Sequence, residues 1–194
     1  MIITTTWRNL NLAIVILFGT LLSGCCFLSK PTHDGKPDFD FDASKIPDAI
    51  PKYEPLNPTC NSNYSQDGHR YHVLKSAKGF HKSGIASWYG TMFHKNYTST
   101  GDRFNLYAMT AASTTLPLPS CVKVTNLENG KHVIVRVNDR GPFRKNRILD
   151  LSYAAAKKLG YAETGTAKVD VQVITVKKPV IAKLASTSKS SKKV

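Results

Sequence analysis

Acids are scarce in this chain, and no apolar run is long. Thirteen Asp+Glu stand against 27 Lys+Arg over 194 residues, for a formal net charge of +14. The apolar stretch Leu12 to Leu22 is interrupted by Gly19 and Thr20. It falls short of the roughly 20 residues a membrane-spanning helix needs. No internal repeat is found, which excludes solenoid and propeller arrays. His69 and His72 lie close together, but no cysteine or further histidine sits at zinc-site spacing, so neither a metal nor a cofactor is expected. With leader, spacer and tail set aside, the chain has room for one modest domain.

The N-terminus sets the compartment. Arg8, the apolar stretch and the small residues Ser23-Gly24 read as a signal peptide over 1–24. Leu22-Ser23-Gly24-Cys25 is similar to a bacterial lipobox, in which the cysteine becomes the lipid-bearing first residue. Acyl chains contribute about 0.8 kcal/mol per buried methylene, so more than one chain anchors a protein stably. Cys26, rather than aspartate, follows Cys25. By likeness to enterobacterial sorting, this directs the expectation to the outer membrane, with the soluble part facing the periplasm. Export removes nucleic acid as a partner of the basic charge. Anionic wall polymers are the polyanions present there. An oxidising space leaves two readings of Cys60 and Cys121: a disulfide closing a long loop, or a buried small apolar residue at Cys121.

Residues 25–62, with prolines at 31, 37, 47, 51, 55 and 58, lack periodicity and read as a semi-extended tether. Residues 63–83 form a lead-in, with Tyr71 to Leu74 as an edge element. The domain proper is placed at 84–176 and reads as mainly β. Gly84 to Gly90 is a short strand and Thr98 to Asn105 a loop. Asn129-Gly130 joins two strands as a hairpin turn. Val133, Val135 and Val137 alternate, as do Val169, Val171 and Val173. Asp150 or Ser152 caps a helix over Ala154–Leu159 that Gly160 stops. Several short strands with one helix imply a small closed barrel. From Lys177 the tail (177–194) carries lysines and no acid, and reads as disordered.

The strand Val133–Asn138 ends in Asp139-Arg140-Gly141-Pro142, a run that cannot extend a sheet. A carboxylate on a rigid strand end suits a catalytic acid. It equally suits a turn aspartate bonding its own backbone. Burial raises such a pKa and nearby Arg136 or Arg140 lowers it, and both outcomes stay open. Tyr89 is a candidate for stacking on sugar, or else core. His94 is a candidate site residue or a surface histidine, and Arg140 a substrate contact or a brace for the turn.

These residues resemble the rare lipoprotein A (RlpA-like) family. The motifs are Gly84-Ile-Ala-Ser-Trp-Tyr-Gly90, Phe93-His94, Thr110-Ala-Ala112, Leu116-Pro-Leu-Pro-Ser120, Val122 to Asn126, Val133 to Phe143 and Arg147 to Ala156. The resemblance implies a six-stranded double-psi β-barrel with a lipid anchor at the wall, without the C-terminal SPOR module of longer relatives. It implies lytic transglycosylase activity between N-acetylmuramic acid and N-acetylglucosamine, favouring strands stripped of stem peptides. Asp139 is then the acid, and the muramic C6 hydroxyl closes a 1,6-anhydro end. Two positions depart from the family pattern. Asp102 stands where a Glu is usual, after Thr98-Ser-Thr-Gly101, and Ser113 where a His is usual. Ser113 cannot titrate. The alternatives are a glycan-binding lipoprotein without turnover, and a hydrolase pairing Asp102 with Asp139.

Overall fold

The computed structural model describes residues 34–179. The signal peptide, Cys25 and most of the basic tail lie outside the described residues. Strands β1 (Tyr64–Gln66) and β2 (His69–Tyr71) form a two-stranded hairpin. Asp67 and Gly68 turn it with φ of 51° and 74°, the positive pair a tight two-residue turn demands. The barrel strands are β3 (His81–Tyr89), β4 (Thr110–Ala112), β5 (Ser120–Asn126), β6 (His132–Asp139), β7 (Arg147–Ser152) and β8 (Ala167–Val173). They close in the order β3-β7-β4-β6-β5-β8. Pairs β3–β7 and β4–β6 are parallel and the rest antiparallel, in keeping with the six-stranded barrel that the resemblance implied.

The period-two pattern explains the filling. Val122, Val124, Val133, Val135, Val137, Leu151 and Val169 are fully buried. Each such side chain contributes about 1.5–3 kcal/mol by leaving water. Helix α1 (Tyr153–Leu159) packs its Ala154-Ala155-Ala156 face inward. Ser152, not Asp150, caps it: the Ser152 hydroxyl accepts from Ala155 N at 3.3 Å. Gly160 ends it in the left-handed conformation.

The proline-rich segment is not the free tether expected for 25–62. From Asp34 to Asn61 it is a strap bound along the barrel. The Asp34 carboxylate accepts from the amides of Gly90 (3.0 Å) and Met92 (3.2 Å). The Gly35 carbonyl comes so near Gly90 that a Cβ there would stand 2.1 Å from it, so only glycine fits. Phe41 packs edge-on against Tyr107 and Tyr153. Asp48 and Ala49 bond both main-chain groups of Ile134, at 3.0 Å each. Glu54 grips Arg136 with two bonds, at 2.8 and 2.9 Å. Asn57 and Asn61 bond the main chain of Leu118. The lead-in likewise resolves into the hairpin, with β2 ending at Tyr71, and the barrel begins at His81 rather than Gly84.

The strap is therefore part of the domain's stability. Glu54 and Arg136 side chains are 22% and 24% exposed. Glu54→Ala leaves the guanidinium without its two-bond partner and is expected to cost about 1–3 kcal/mol. Thermal unfolding should show Tm lower by roughly 3–10 °C. An unchanged Tm would mean that residues 34–61 are a detached tether.

Candidate active site

Asp139 is the last residue of β6, partly exposed where the strand leaves the barrel. Its Oδ1 accepts three hydrogen bonds: from Ser99 N (2.9 Å), Ser99 Oγ (2.6 Å) and Arg140 N (2.7 Å). Among the described residues nothing donates to Oδ2. One oxygen is fixed and the other is open. Gly141 then turns the chain at φ 137°, and a Cβ there would lie 3.7 Å from Ala112 Cβ.

The loop that delivers Ser99 is itself held by Asp102. Asp102 Oδ2 accepts from Arg136 Nη1 (2.6 Å) and Asn138 Nδ2 (3.1 Å), with Thr100 Oγ1 at 2.8 Å. Burial acts to raise its pKa. The bonds from Arg136, Asn138 and Thr100, with the Arg136 charge, outweigh burial and hold it at about 2. A carboxyl so acidic is a permanent anion. The possible catalytic role of Asp102 gives way to a positioning role, and its pairing with Asp139 as two reacting carboxyls is not supported.

Arg140 is a brace. Its Nε and Nη2 donate to the Cys60 carbonyl (3.2 and 2.7 Å), and Nη2 also to Asn61 Oδ1 (3.1 Å). Nη1 donates to the carbonyls of Ser113 (3.0 Å) and Leu116 (2.6 Å). A guanidinium has five N–H donors, and all five are engaged. Of the two readings of Arg140, the brace is the one the geometry fits, and a substrate contact has no guanidinium donor left to make it. Neither the Arg136 nor the Arg140 guanidinium bonds the Asp139 carboxylate; Arg140 reaches it through its main-chain amide alone.

Ser113 is 2% exposed. Its amide donates to the Asp139 carbonyl (3.0 Å), and its hydroxyl accepts from Leu116 N (3.2 Å). It shapes the loop beside Asp139. Tyr89, read as either a sugar-stacking residue or core, is core: 8% exposed and stacked on Phe104 at 4.0 Å. Its hydroxyl is buried without a partner. Burial, then the charges of Asp139 and Asp150, push its pKa upward. His94 stands on a 3-10 turn after β3, where Nδ1 accepts from Leu106 N at 3.3 Å and the ring meets Tyr107. Burial, then Lys95, hold its pKa below the usual histidine value. It makes no hydrogen bond to Asp139, Ser99 or Asp102. The Cys60–Cys121 bridge is not formed. Among the described residues both thiols are free, and Cys121 is buried at the start of β5.

Three participants escaped the sequence reading. Ser99 sat inside a loop quoted only for its neighbours, and Glu54 inside the supposed tether. Asp150 was considered only as one of two possible helix caps, beside Ser152. It lies instead on β7, in register with Ala112, which pairs with Asp139 on its other side. Ser87 donates to Asp150 Oδ1, and Arg147 Nη1 donates to Ser87 Oγ at 2.8 Å. Burial, against Ser87 and Arg147, leaves the Asp150 pKa raised. An aromatic group borders the turn. Tyr64 stacks on Tyr71 at 5.1 Å, and Phe143 meets both edge-on. A shallow cavity of about 170 Å³ is lined by His69, Tyr71, Pro142, Phe143 and Arg147, among others.

A sequence family described as "Lytic transglycolase" matches residues 81–171. The chain is similar to the endolytic peptidoglycan transglycosylase RlpA of three organisms. Identity is 55% over 154 residues in Pseudomonas aeruginosa, covering 79% of this chain and 45% of that one. It is 49% over 170 residues in Vibrio cholerae, covering 84% and 64%. In Rickettsia felis it is 38% over 204 residues, covering 95% and 86%. The chain spans about half the length of the Pseudomonas relative.

Asp102 also fixes an acid-stability profile. Its folded pKa is depressed from 3.8 to about 2. The stabilisation is therefore full above the unfolded value and is lost as pH falls through about 2. Asp102→Asn should lower stability at neutral pH and flatten the acid decline between pH 4 and 2, read by denaturant unfolding at stepped pH. An unchanged acid decline in the variant would refute the depressed carboxyl.

Proposed function

Because the chain belongs to the RlpA family of lytic transglycosylases, we propose that it cuts peptidoglycan glycan strands between N-acetylmuramic acid and N-acetylglucosamine, leaving 1,6-anhydro ends. The observation that carries this is the asymmetry of Asp139: Oδ1 tied to three donors, Oδ2 open at the strand end. A proton on Oδ2 can pass to the leaving glycosidic oxygen as the C1–O bond breaks. The muramic C6 oxygen then bonds C1 and its proton returns to a carboxylate, so no water is consumed. The Ser99 and Arg140 contacts restrict the acid to one orientation, the positional advantage that catalysis exploits. Stacking on sugar, expected of Tyr89, falls to Tyr71 and to Phe143, which is 40% exposed.

A second reading is a glycan-binding protein without turnover. Ser113 favours it, since a buried hydroxyl shaping a loop replaces the family's titratable histidine. Intact and amidase-stripped sacculi, incubated with the full chain and analysed by mass, separate the two. Anhydro products from the wild type, reduced at least ~100-fold by Asp139→Asn, support the transglycosylase. Retention on sacculi with no released sugar supports the binder. Reducing ends would identify a hydrolase.

We further place the protein on the outer membrane, facing the periplasm, with its lipid on Cys25. Labelled palmitate should enter the wild type and not Cys25→Ser. Equal incorporation in both would refute the anchor.

A further inference from the structure

Asp150 has no part in the single-acid scheme, yet it is built like a reacting group. Ala112 pairs with Asp139 on one side and with Asp150 on the other. The two aspartates thus lie in one row across three strands, their Cα atoms two strand spacings or roughly 10 Å apart. Asp150 Oδ2 stands 4.0 Å from where a Cβ on Gly141 would be, beside the turn that carries Asp139. Among the described residues nothing donates to Oδ2. Oδ1 is fixed by Ser87, whose own oxygen is fixed by Arg147. We infer that Asp150 is the second carboxyl of the active site, touching the glycan and taking the proton of the attacking C6 hydroxyl.

The inference rests on the transglycosylase reading and divides its proton chemistry. Asp139 gives its proton to the leaving oxygen as that oxygen's bond to C1 breaks. The C6 oxygen bonds C1, and the C6 hydroxyl proton passes to Asp150. One carboxyl loses a proton, the other gains one, and exchange with solvent restores both.

The surroundings of Asp150 fit this task. Arg147 bonds Ser87 and not Asp150 directly, so the carboxyl is buried without a cation in contact, costly for a purely structural group. The groups facing it are Ser87 and the Tyr89 hydroxyl from β3, Asp34 from the strap, Arg144 from the loop between β6 and β7, Arg147 on its own strand, and the Tyr161 hydroxyl after α1. Burial and Asp34 raise its pKa, and Ser87, Arg147 and Arg144 oppose them, with the balance upward. A base is most effective with its pKa near the working pH. The buried Tyr89 hydroxyl, whose one polar neighbour by side chain is Thr110, senses the charges of both Asp139 and Asp150. Ser113 does not titrate near working pH, so in this scheme the second acid–base group is another side chain.

Two measurements on the full chain decide the matter. The first is the pH dependence of anhydro-product formation. Asp150→Asn should lower kcat by ~10²–10⁴, leave KM within about threefold and abolish the acid limb of the profile. Ser87→Ala keeps the carboxyl but removes a bond favouring its charged form, so the acid limb should move to higher pH. That shift serves as the test if Asp150→Asn does not fold. The second measurement needs no turnover. In Asp139→Asn, amidase-stripped glycan oligosaccharide should move the titration of the Asp150 carboxyl carbon, followed by NMR. An acid limb intact in Asp150→Asn, or bound glycan that leaves the Asp150 titration unmoved, overturns the inference. Absence of anhydro ends from the wild type overturns the function proposed above, and the NMR shift then decides alone whether Asp150 meets glycan. Absence of glycan binding overturns both.

Discussion

The arrangement depends on the guanidinium of Arg140. Its five donors reach acceptors in two separate segments: Cys60 and Asn61 in the strap, and Ser113 and Leu116 in the loop after β4. The turn that bears Asp139 is thereby locked to both. An ammonium group at that position has three donors and no planar fork, so it cannot reproduce the junction. Arg140 has no carboxylate in contact, and burial works against its charge. The carbonyls compensate for that burial, as buried charge requires. With the backbone of residue 140 immobile, its amide points at Asp139 Oδ1, and Ser99 completes the hold.

Arg136 differs in kind, although it lies only four residues away. Val133, Val135 and Val137 turn into the barrel, and their alternation puts Arg136 and Asn138 on related outward positions. There the two meet Asp102 together. The far side of Arg136 is taken by Glu54. A chain of charge thus runs from strap to strand to loop, and the loop's Ser99 ends it at the Asp139 carboxyl. Aspartate suffices at position 102 because the contact is with neighbouring groups on the same end of the barrel. The shorter side chain loses reach, not the ion pair.

The inward alternation of β6 and β8, the Asn129-Gly130 turn and the Gly160 stop could be read from residue order because each is a local rule. The strap could not. Its contacts are single side chains on distant backbone: Asp34 on Gly90, Asp48 on Ile134, Glu54 on Arg136. No periodicity announces them. Alternation predicts that one of Trp88 and Tyr89 is core, and Tyr89 is, stacked on Phe104. It does not show that Trp88 is half-buried as well, against Tyr153 and bonded to the Ala162 carbonyl. Asp139 was legible as a strand-end acid. Its holder Ser99 was not, since a serine in a Ser/Thr-rich loop carries no signal of what it faces.

Ser113, standing where the family resemblance implied a histidine, bears on which groups can move a proton here. Residue 113 is buried, its amide held to Asp139 and its carbonyl to Arg140. An imidazole there would stay neutral or need a nearby anion on charging, since burial disfavours the cation. The serine removes that group without leaving a void of charge, because its hydroxyl accepts from Leu116 and keeps the loop in place. The loop's geometry and its acid–base capacity are thus separable, and only the second is lost. What remains near the turn is carboxyl chemistry. Asp102 is held as an anion, and the proposed acid Asp139 and base Asp150 lie on the two strands that flank β4. A three-residue strand is enough to join them, because Ala112 adds only a methyl group between the two strands it spaces.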